Sequence, residues 1–204
     1  MSEIRVLIVE DDPLIGIDIE QILNNLNFIV SGTAYSVEDA LHQLKNNTPD
    51  VVLLDINLGD EKDGIDIAET INSIYQLPFI FLTSHADKQT LERAKKTKPA
   101  GYIIKPFDEK DLLVGLEIAL YNYTQQLTAN QPKLNLHAIN KHLQIAISER
   151  EFDVLCAVYE GKTNQQMAQS LFVSVNTIKT HISNIYYKLD VTSRTAAIAK
   201  VRSL

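Results

Sequence analysis

Apolar positions along the first 122 residues follow two alternating periods. Short runs rich in Val, Ile, Leu and Phe cover residues 4–9, 28–34, 51–54, 79–82 and 102–104, the length and composition of buried strands. Between them the apolar residues recur at helical spacing. Ile15, Ile19, Ile22, Leu23 and Leu26 mark one face of a first helix, opened by Asp12 as cap and Pro13 at the first helical position. Ser36 and Asp39 open a second, striped by Ala40, Leu41 and Leu44. Ile67, Ala68, Ile71 and Ile74 mark a third, and Leu91 with Ala94 a shorter, more polar fourth. Asp108 opens a fifth, carrying Leu112, Leu113, Leu116 and Leu120. Strands alternating with helices in this way predict a parallel sheet covered on both faces. Ligands of such sheets sit beyond the carboxyl ends of the strands.

The pattern changes near residue 124. The stretch TQQLTANQPK, residues 124–133, is polar and without clear period, as a linker would be. Residues 134–146 carry no assignable pattern, and from residue 147 onward every segment reads as helix. Ser148 and Glu151 form a capping-box pattern ahead of Phe152, Leu155 and Val158, and Gly161 stops that helix. Thr163 caps a second helix bearing Met167, Ala168 and Leu171, and Ser174 a third. On the third, Ile178, Ile182, Ile185 and Leu189 lie at spacings of four, three and four, and a fourth helix starts after Ser193. The expected layout is an α/β domain over residues 1–123, a linker over 124–146 and an all-α domain of four helices over 147–204.

Charge sharpens this division. Residues 1–122 hold 10 Lys/Arg against 21 Asp/Glu, a balance of −11, while residues 123–204 hold 9 against 5, a balance of +4. An acidic part joined to a basic part suggests different partners for the two. Cys156, the single cysteine, excludes an internal disulfide and a thiolate metal cage. It is expected on the apolar face of its helix. His137 and His142 lack companion acids or cysteines, so no metal is expected there. The first apolar run is interrupted by Arg5 and closed by Glu10, and no run has the length of a membrane helix. The expectation is a cytoplasmic protein without membrane contact.

Reactive side chains stand where four of the five strands end: Glu10 and Asp11 after the first, Asp55 after the third, Thr83 after the fourth and Lys105 after the fifth. All would converge on one rim of the sheet. Three carboxylates repel one another unless a cation joins them, and hard oxygen donors suit Mg²⁺. Such a site would align a phosphoryl group for in-line attack by a carboxylate, with Thr83 donating to one phosphoryl oxygen and Lys105 placing its charge on another. Helix capping accounts for Asp12 alone and leaves the joint arrangement unexplained.

The segments VLIVEDDPLI, DVVLLDINL, FIFLTS and GYIIKPF, taken in order, closely resemble the signatures of the receiver domain of two-component response regulators, over residues 3–122. The resemblance implies a flavodoxin-like five-stranded fold, Asp55 as phosphoacceptor, and Mg²⁺ held by Glu10, Asp11, Asp55 and the backbone carbonyl of Asn57. It further implies Thr83 and Lys105 as phosphate contacts, Thr83 and Tyr102 as the pair that moves on activation, and a cis Lys105–Pro106 bond. A sensor histidine kinase would be the phosphoryl donor, and catalysis would be limited to phosphorylation and dephosphorylation of Asp55 itself. One departure is visible: Gly64 lies nine residues after Asp55 where the family commonly has eight, so the loop is expected to be one residue longer. His85, two residues after Thr83, is a candidate influence on phosphoryl lifetime.

In the second part, the face of the third helix opposite its apolar stripe presents Thr177, Lys179, Thr180, Ser183, Asn184 and Lys188. Small polar and basic side chains on one helix face suit a DNA major groove. The segments SEREFDVL, EGKTNQQMAQSLFVSVNTIKTHISNIYYKL and VTSRTAA resemble the LuxR-type helix-turn-helix, so the whole chain is similar to the NarL/FixJ group of response regulators. By position, the resemblance implies that Lys179, Thr180 and Ser183 face the major groove of double-stranded DNA. It implies backbone contacts from Thr163, Asn164 and Lys188, and homodimerisation on phosphorylation. Gln165 and Gln166 depart from the usual Lys-Glu pair. Two rival readings stay open from the residues alone. One is a haloacid-dehalogenase-like phosphatase, which would need a second aspartate where Asn57 stands; the other is an adaptor whose helical domain does not bind DNA.

Overall fold

Five parallel strands, β1 (Arg5–Val9), β2 (Ile29–Ala34), β3 (Val51–Asp55), β4 (Phe79–Thr83) and β5 (Gly101–Ile104), hydrogen-bond in the order β2-β1-β3-β4-β5. The structure, a computed structural model, describes residues 4–59, 63–84, 88–128 and 134–204. Helices α1 (Pro13–Asn25), α2 (Val37–Asn46), α3 (Gly64–Thr70), α4 (Lys88–Lys96) and α5 (Glu109–Thr128) follow the successive strands. The alternation predicts a parallel sheet covered on both faces, and this arrangement is the flavodoxin-like one that the receiver resemblance implies.

Burial on both faces explains why the strands are continuously apolar rather than alternating. Successive residues still point to opposite faces. Leu7, Val9, Val52, Leu54, Phe79 and Phe81 form one core with Ala40 and Leu44 of α2 and Ile65, Ile67 and Ala68 of α3. Val6, Ile8, Val51, Leu53, Ile80 and Leu82 form the other, with Ile19 and Leu23 of α1 and Leu112 and Leu116 of α5. At about 1.5–3 kcal/mol for each fully buried large aliphatic or aromatic side chain, these two layers dominate the stabilisation of the sheet. They also fix its carboxyl rim in place.

The third helix departs from expectation. Its last turn, Ile71–Tyr75, is π-helical, and Gln76 closes it in the left-handed conformation. A π-turn holds more residues per turn than an α-helix. Ile74 is therefore rotated out of the apolar stripe and stands 68% exposed.

The described residues divide into two units, Ile4–Leu120 and Tyr121–Leu204. In the second, α6 (Leu136–Asn140), α7 (Glu149–Tyr159), α8 (Asn164–Leu171), α9 (Val175–Leu189) and α10 (Arg194–Arg202) surround one core. Ser148, Thr163, Ser174 and Ser193 each cap the helix they precede, and Ser148/Glu151 and Thr163/Gln166 are reciprocal capping boxes. Cys156 is only partly buried on α7.

Residues 124–146 are not a uniform linker. Helix α5 continues to Thr128, and Thr124 is buried. Residues 129–133 lie outside the described residues. Beyond them Asn135 caps α6, Ile139 is buried in the helical core, and Leu134, Leu136 and Leu143 pack against it. The Asn140 amide clamps Ile147, donating to its carbonyl at 3.0 Å and accepting from its N–H at 2.8 Å. A five-residue helix is too short to show a period, so this segment carries no helical signature in the sequence.

Candidate functional site

The parallel register sets the first constellation. Asp55 ends β3 opposite Leu82, and Thr83 ends β4 opposite Ile104, just before Lys105. Glu10 follows β1, its N–H donating to the Ala34 carbonyl at 3.0 Å. Backbone pairing alone thus delivers these side chains to one rim.

There the Lys105 ammonium donates to Asp55 Oδ2 at 2.5 Å and to Glu10 Oε2 at 2.6 Å. Ligand oxygens of Glu10, Asp11 and Asp55 lie within 4.8 Å of one another. Burial raises the Glu10 carboxyl above its ordinary range, with the Asp55 charge adding to the rise and the Lys105 hydrogen bond opposing it. Burial opposes the Lys105 charge, but the hydrogen bonds to Asp55 and Glu10 prevail and raise its pKa. Glu10 and Asp55 are buried, whereas Asp11 is exposed. Crowded carboxylate oxygens with an open side are a donor set that fits Mg²⁺.

Two backbone features hold the aspartate. The Asn57 N–H donates to Asp55 Oδ1 at 3.0 Å. Gly64, at the start of α3, donates its N–H to the Ile56 carbonyl at 2.9 Å. A Cβ on Gly64 would fall 1.9 Å from the Asp55 carbonyl oxygen, so only glycine permits this approach. The Thr83 hydroxyl is buried and has no hydrogen-bond partner among the described residues. A buried hydroxyl left without a partner costs about 1–3 kcal/mol, a cost that a phosphoryl oxygen would relieve.

Tyr102 on β5 is 38% exposed, its ring tilted against Phe81 at a centroid distance of 5.8 Å. Burial raises its phenol pKa, opposed by the nearby Lys95 charge. The Lys105–Pro106 bond is cis. His85 and residues 60–62, within the loop after Asp55 that is expected to be one residue longer, lie outside the described residues. Its far end is anchored by Asp63, which caps α3 and accepts a 2.9 Å ion pair from Arg93 of α4. No local pattern in the sequence announces that pair, 30 residues apart.

On α9 the four apolar residues at spacings of four, three and four are buried. Thr180 and Ser183 are exposed on the opposite side, and Lys179 stands at the flank, half-buried. Two residues expected beside them are turned elsewhere. The Lys188 ammonium donates to Glu151 Oε2 at 2.7 Å and to the Ala146 carbonyl at 2.9 Å, with its side chain only 17% exposed. Asn164 is buried at the start of α8, and neither polar atom of its amide has a partner among the described residues. Thr163 keeps its hydroxyl on the Gln166 N–H as a helix cap. Glu151, read only as a capping residue, is thus also the counter-ion of the third helix.

A family model described as the response regulator receiver domain matches residues 6–117. One described as bacterial regulatory proteins, luxR family, matches residues 146–201. Response regulator protein VraR of Staphylococcus saprophyticus is 28% identical over 199 residues, 96% of this chain and 94% of that protein. The Bacillus subtilis protein named Uncharacterized transcriptional regulatory protein YhcZ is 32% identical, over 82% of this chain and 80% of its own length. Among solved structures, response regulator StyR aligns over 98% of both chains with a TM-score of 0.53 and 27% identity. The receiver domain of a modulated diguanylate cyclase from Desulfovibrio desulfuricans G20 aligns over 60% of this chain and 97% of its own, with a TM-score of 0.57 and 34% identity.

Proposed function

The chain belongs to the response regulators, with a receiver domain followed by a LuxR-type DNA-binding domain, and from that membership we propose that Asp55 is its phosphoacceptor. The observation that carries this is the pairing of the Asp55 carboxylate, held by Asn57 N–H and Lys105, with a buried Thr83 hydroxyl that lacks a partner among the described residues. An Asp55 oxygen attacks the phosphorus of a histidine kinase's phosphohistidine. The phosphorus–nitrogen bond breaks and its electron pair returns to the imidazole. Mg²⁺ bound by Glu10, Asp11, Asp55 and the Asn57 carbonyl would supply charge neutralisation for the phosphoryl oxygens. Lys105 turns from the carboxylates to a phosphoryl oxygen, and Thr83 donates to another, drawing Tyr102 with it. The chemistry is confined to the protein's own aspartate, and no separate substrate is turned over.

The output is DNA binding. Lys179, Thr180 and Ser183 of α9 enter the major groove, and Thr163 at the start of α8 meets the backbone. Lys188 supports this surface from within rather than touching phosphate, and Asn164 lies buried. Residues 1–123 serve as receiver and 147–204 as helix-turn-helix, with residues 134–146 bracing the latter. Phosphorylation favours a homodimer that pairs two α9 helices on half-sites. A DNA-binding output calls for a cytoplasmic site of action; no helix among the described residues is long and apolar enough to cross a membrane.

The phosphoacceptor is tested by labelling the full chain with radiolabelled acetyl phosphate. Asp55→Asn keeps the shape and removes the nucleophile, so labelling falls to background, as it does with Mg²⁺ chelated. Base-labile labelling of the variant at the wild-type level overturns the assignment.

A further inference from the structure

Beyond the DNA contacts assigned above, α9 carries an aromatic residue that the resemblance leaves without a role. Nine residues separate Ile178 from Tyr187, two and a half turns at about 3.6 residues per turn. Tyr187 therefore points diametrically away from the buried stripe of Ile178, Ile182, Ile185 and Leu189. Its side chain is 76% exposed. Thr180 lies seven residues before it, nearly two whole turns, so the two share one face. Ser183 lies four residues before it, rotated by only about 40°. Lys188, one residue on, is rotated by about 100° and is drawn inward to Glu151 and the Ala146 carbonyl. At the carboxyl end of α9 the group that protrudes on the reading face is thus a phenol and not an ammonium.

We propose that Tyr187 is a further DNA-contacting residue, whose hydroxyl donates to a phosphate at the wall of the groove that α9 enters. The inference rests on α9 being the helix in the groove. Tyr187 lies about 10.5 Å along the helix from Thr180 at about 1.5 Å per residue, comparable with the roughly 12 Å width of the major groove. With Thr180 at the base edges, the phenol stands where the groove floor gives way to the sugar–phosphate strand. A tyrosine buries large area at low conformational cost, and its O–H needs a partner once water is displaced. A phosphate oxygen is the acceptor that every DNA sequence offers there.

A neutral donor leaves a distinctive signature. Contact to phosphate carries no base information, so loss of the hydroxyl weakens binding on all sequences alike. The phenol displaces no condensed counterion, so the salt dependence is unchanged. A lysine in that place would change both.

The test uses the full chain, treated with acetyl phosphate, and two fluorescent duplexes: one enriched by the wild-type protein from a random pool, and one of shuffled sequence. Tyr187→Phe should weaken binding roughly ten- to a hundredfold on both duplexes, as for loss of one hydrogen bond to a charged acceptor, with the slope against salt unaltered. Tyr187→Ala should lose at least as much, with the helical circular dichroism and melting of the wild type. Lys179→Ala is the reference for α9 itself, with the preference for the enriched over the shuffled duplex relaxed. If both Tyr187 variants bind as wild type while Lys179→Ala relaxes the preference between the duplexes, the phosphate contact is wrong and the α9 reading stands. If Lys179→Ala also binds as wild type, the α9 reading fails with it. A loss confined to the enriched duplex overturns the proposal too, because Tyr187 would then be reading a base.

Discussion

The Lys188 ammonium of α9 lies 2.7 Å from Glu151 Oε2 of α7, on the same oxygen that accepts the Ser148 N–H. One carboxylate thus closes the first turn of α7 and fixes the carboxyl end of α9. Helix α9 is held by a charge that, on sequence position alone, would have been assigned to DNA.

Replacing Lys188 by Met should therefore act on stability before binding. Glu151 would keep only its Ser148 partners in a largely buried place, and breaking such a pair costs several kcal/mol at most, about 2–3 here with the lysine partly exposed. Chemical denaturation followed by helical signal measures this. The double variant with Glu151→Gln should recover part of the loss, and an additive double variant would show the two side chains uncoupled.

The same pair sets a pH dependence. Burial works against the Glu151 charge, yet the hydrogen bonds from Lys188 and Ser148 outweigh it and hold the carboxyl below its ordinary range. A carboxyl lowered in the folded state contributes stability at neutral pH that is lost as pH falls through its folded value. Protection factors of amides in α7 and α9, taken relative to the intrinsic exchange rate at each pH, should fall as pH drops below the ordinary glutamate range. Glu151→Gln should remove this component, and an unchanged profile in that variant would place the titration on another group.

Gly64→Ala should damage the phosphoacceptor without touching its side chain. The added Cβ would sit 1.9 Å from the Asp55 carbonyl oxygen. Backbone must move, at a cost of about 1–3 kcal/mol. Acetyl-phosphate labelling should slow alongside a lowered melting temperature of the receiver. Wild-type labelling and melting would mean that α3 approaches Asp55 less closely than described.

Thr83→Val should separate stability from switching. The Thr83 hydroxyl is buried without a partner among the described residues, so the isosteric valine removes an unsatisfied group and should stabilise the unphosphorylated chain by about 1 kcal/mol. The variant should still take label on Asp55. Its DNA affinity should no longer rise on phosphorylation, because no hydroxyl is left to follow the phosphoryl group. A destabilised variant that switches normally would contradict both parts.

Local chemistry in the sequence determined most of this protein. Apolar runs bounded by Glu10, Asp55, Thr83 and Lys105 specify parallel strands ending in reactive side chains, because a strand buried on both faces must be apolar and can turn polar only where it emerges. Caps at Asp12, Ser148, Thr163 and Ser174 are equally local, since a capping side chain meets a backbone N–H two or three residues away. What the chain does with long-range partners was decided by tertiary structure alone. Lys188 belongs to the same polar helix surface as Lys179 in the sequence, and only the approach of α7, 37 residues distant, turns it inward. Gly64 is an ordinary loop glycine until α3 is laid against Asp55. Residues 134–146 show no period because a five-residue helix and its flanks are ordered by burial of Leu134, Ile139 and Leu143 against a core that the rest of the unit provides. Periodicity reports which face of an element is buried. Which neighbour covers that face, and which charge it captures, depends on packing between elements that no local pattern encodes.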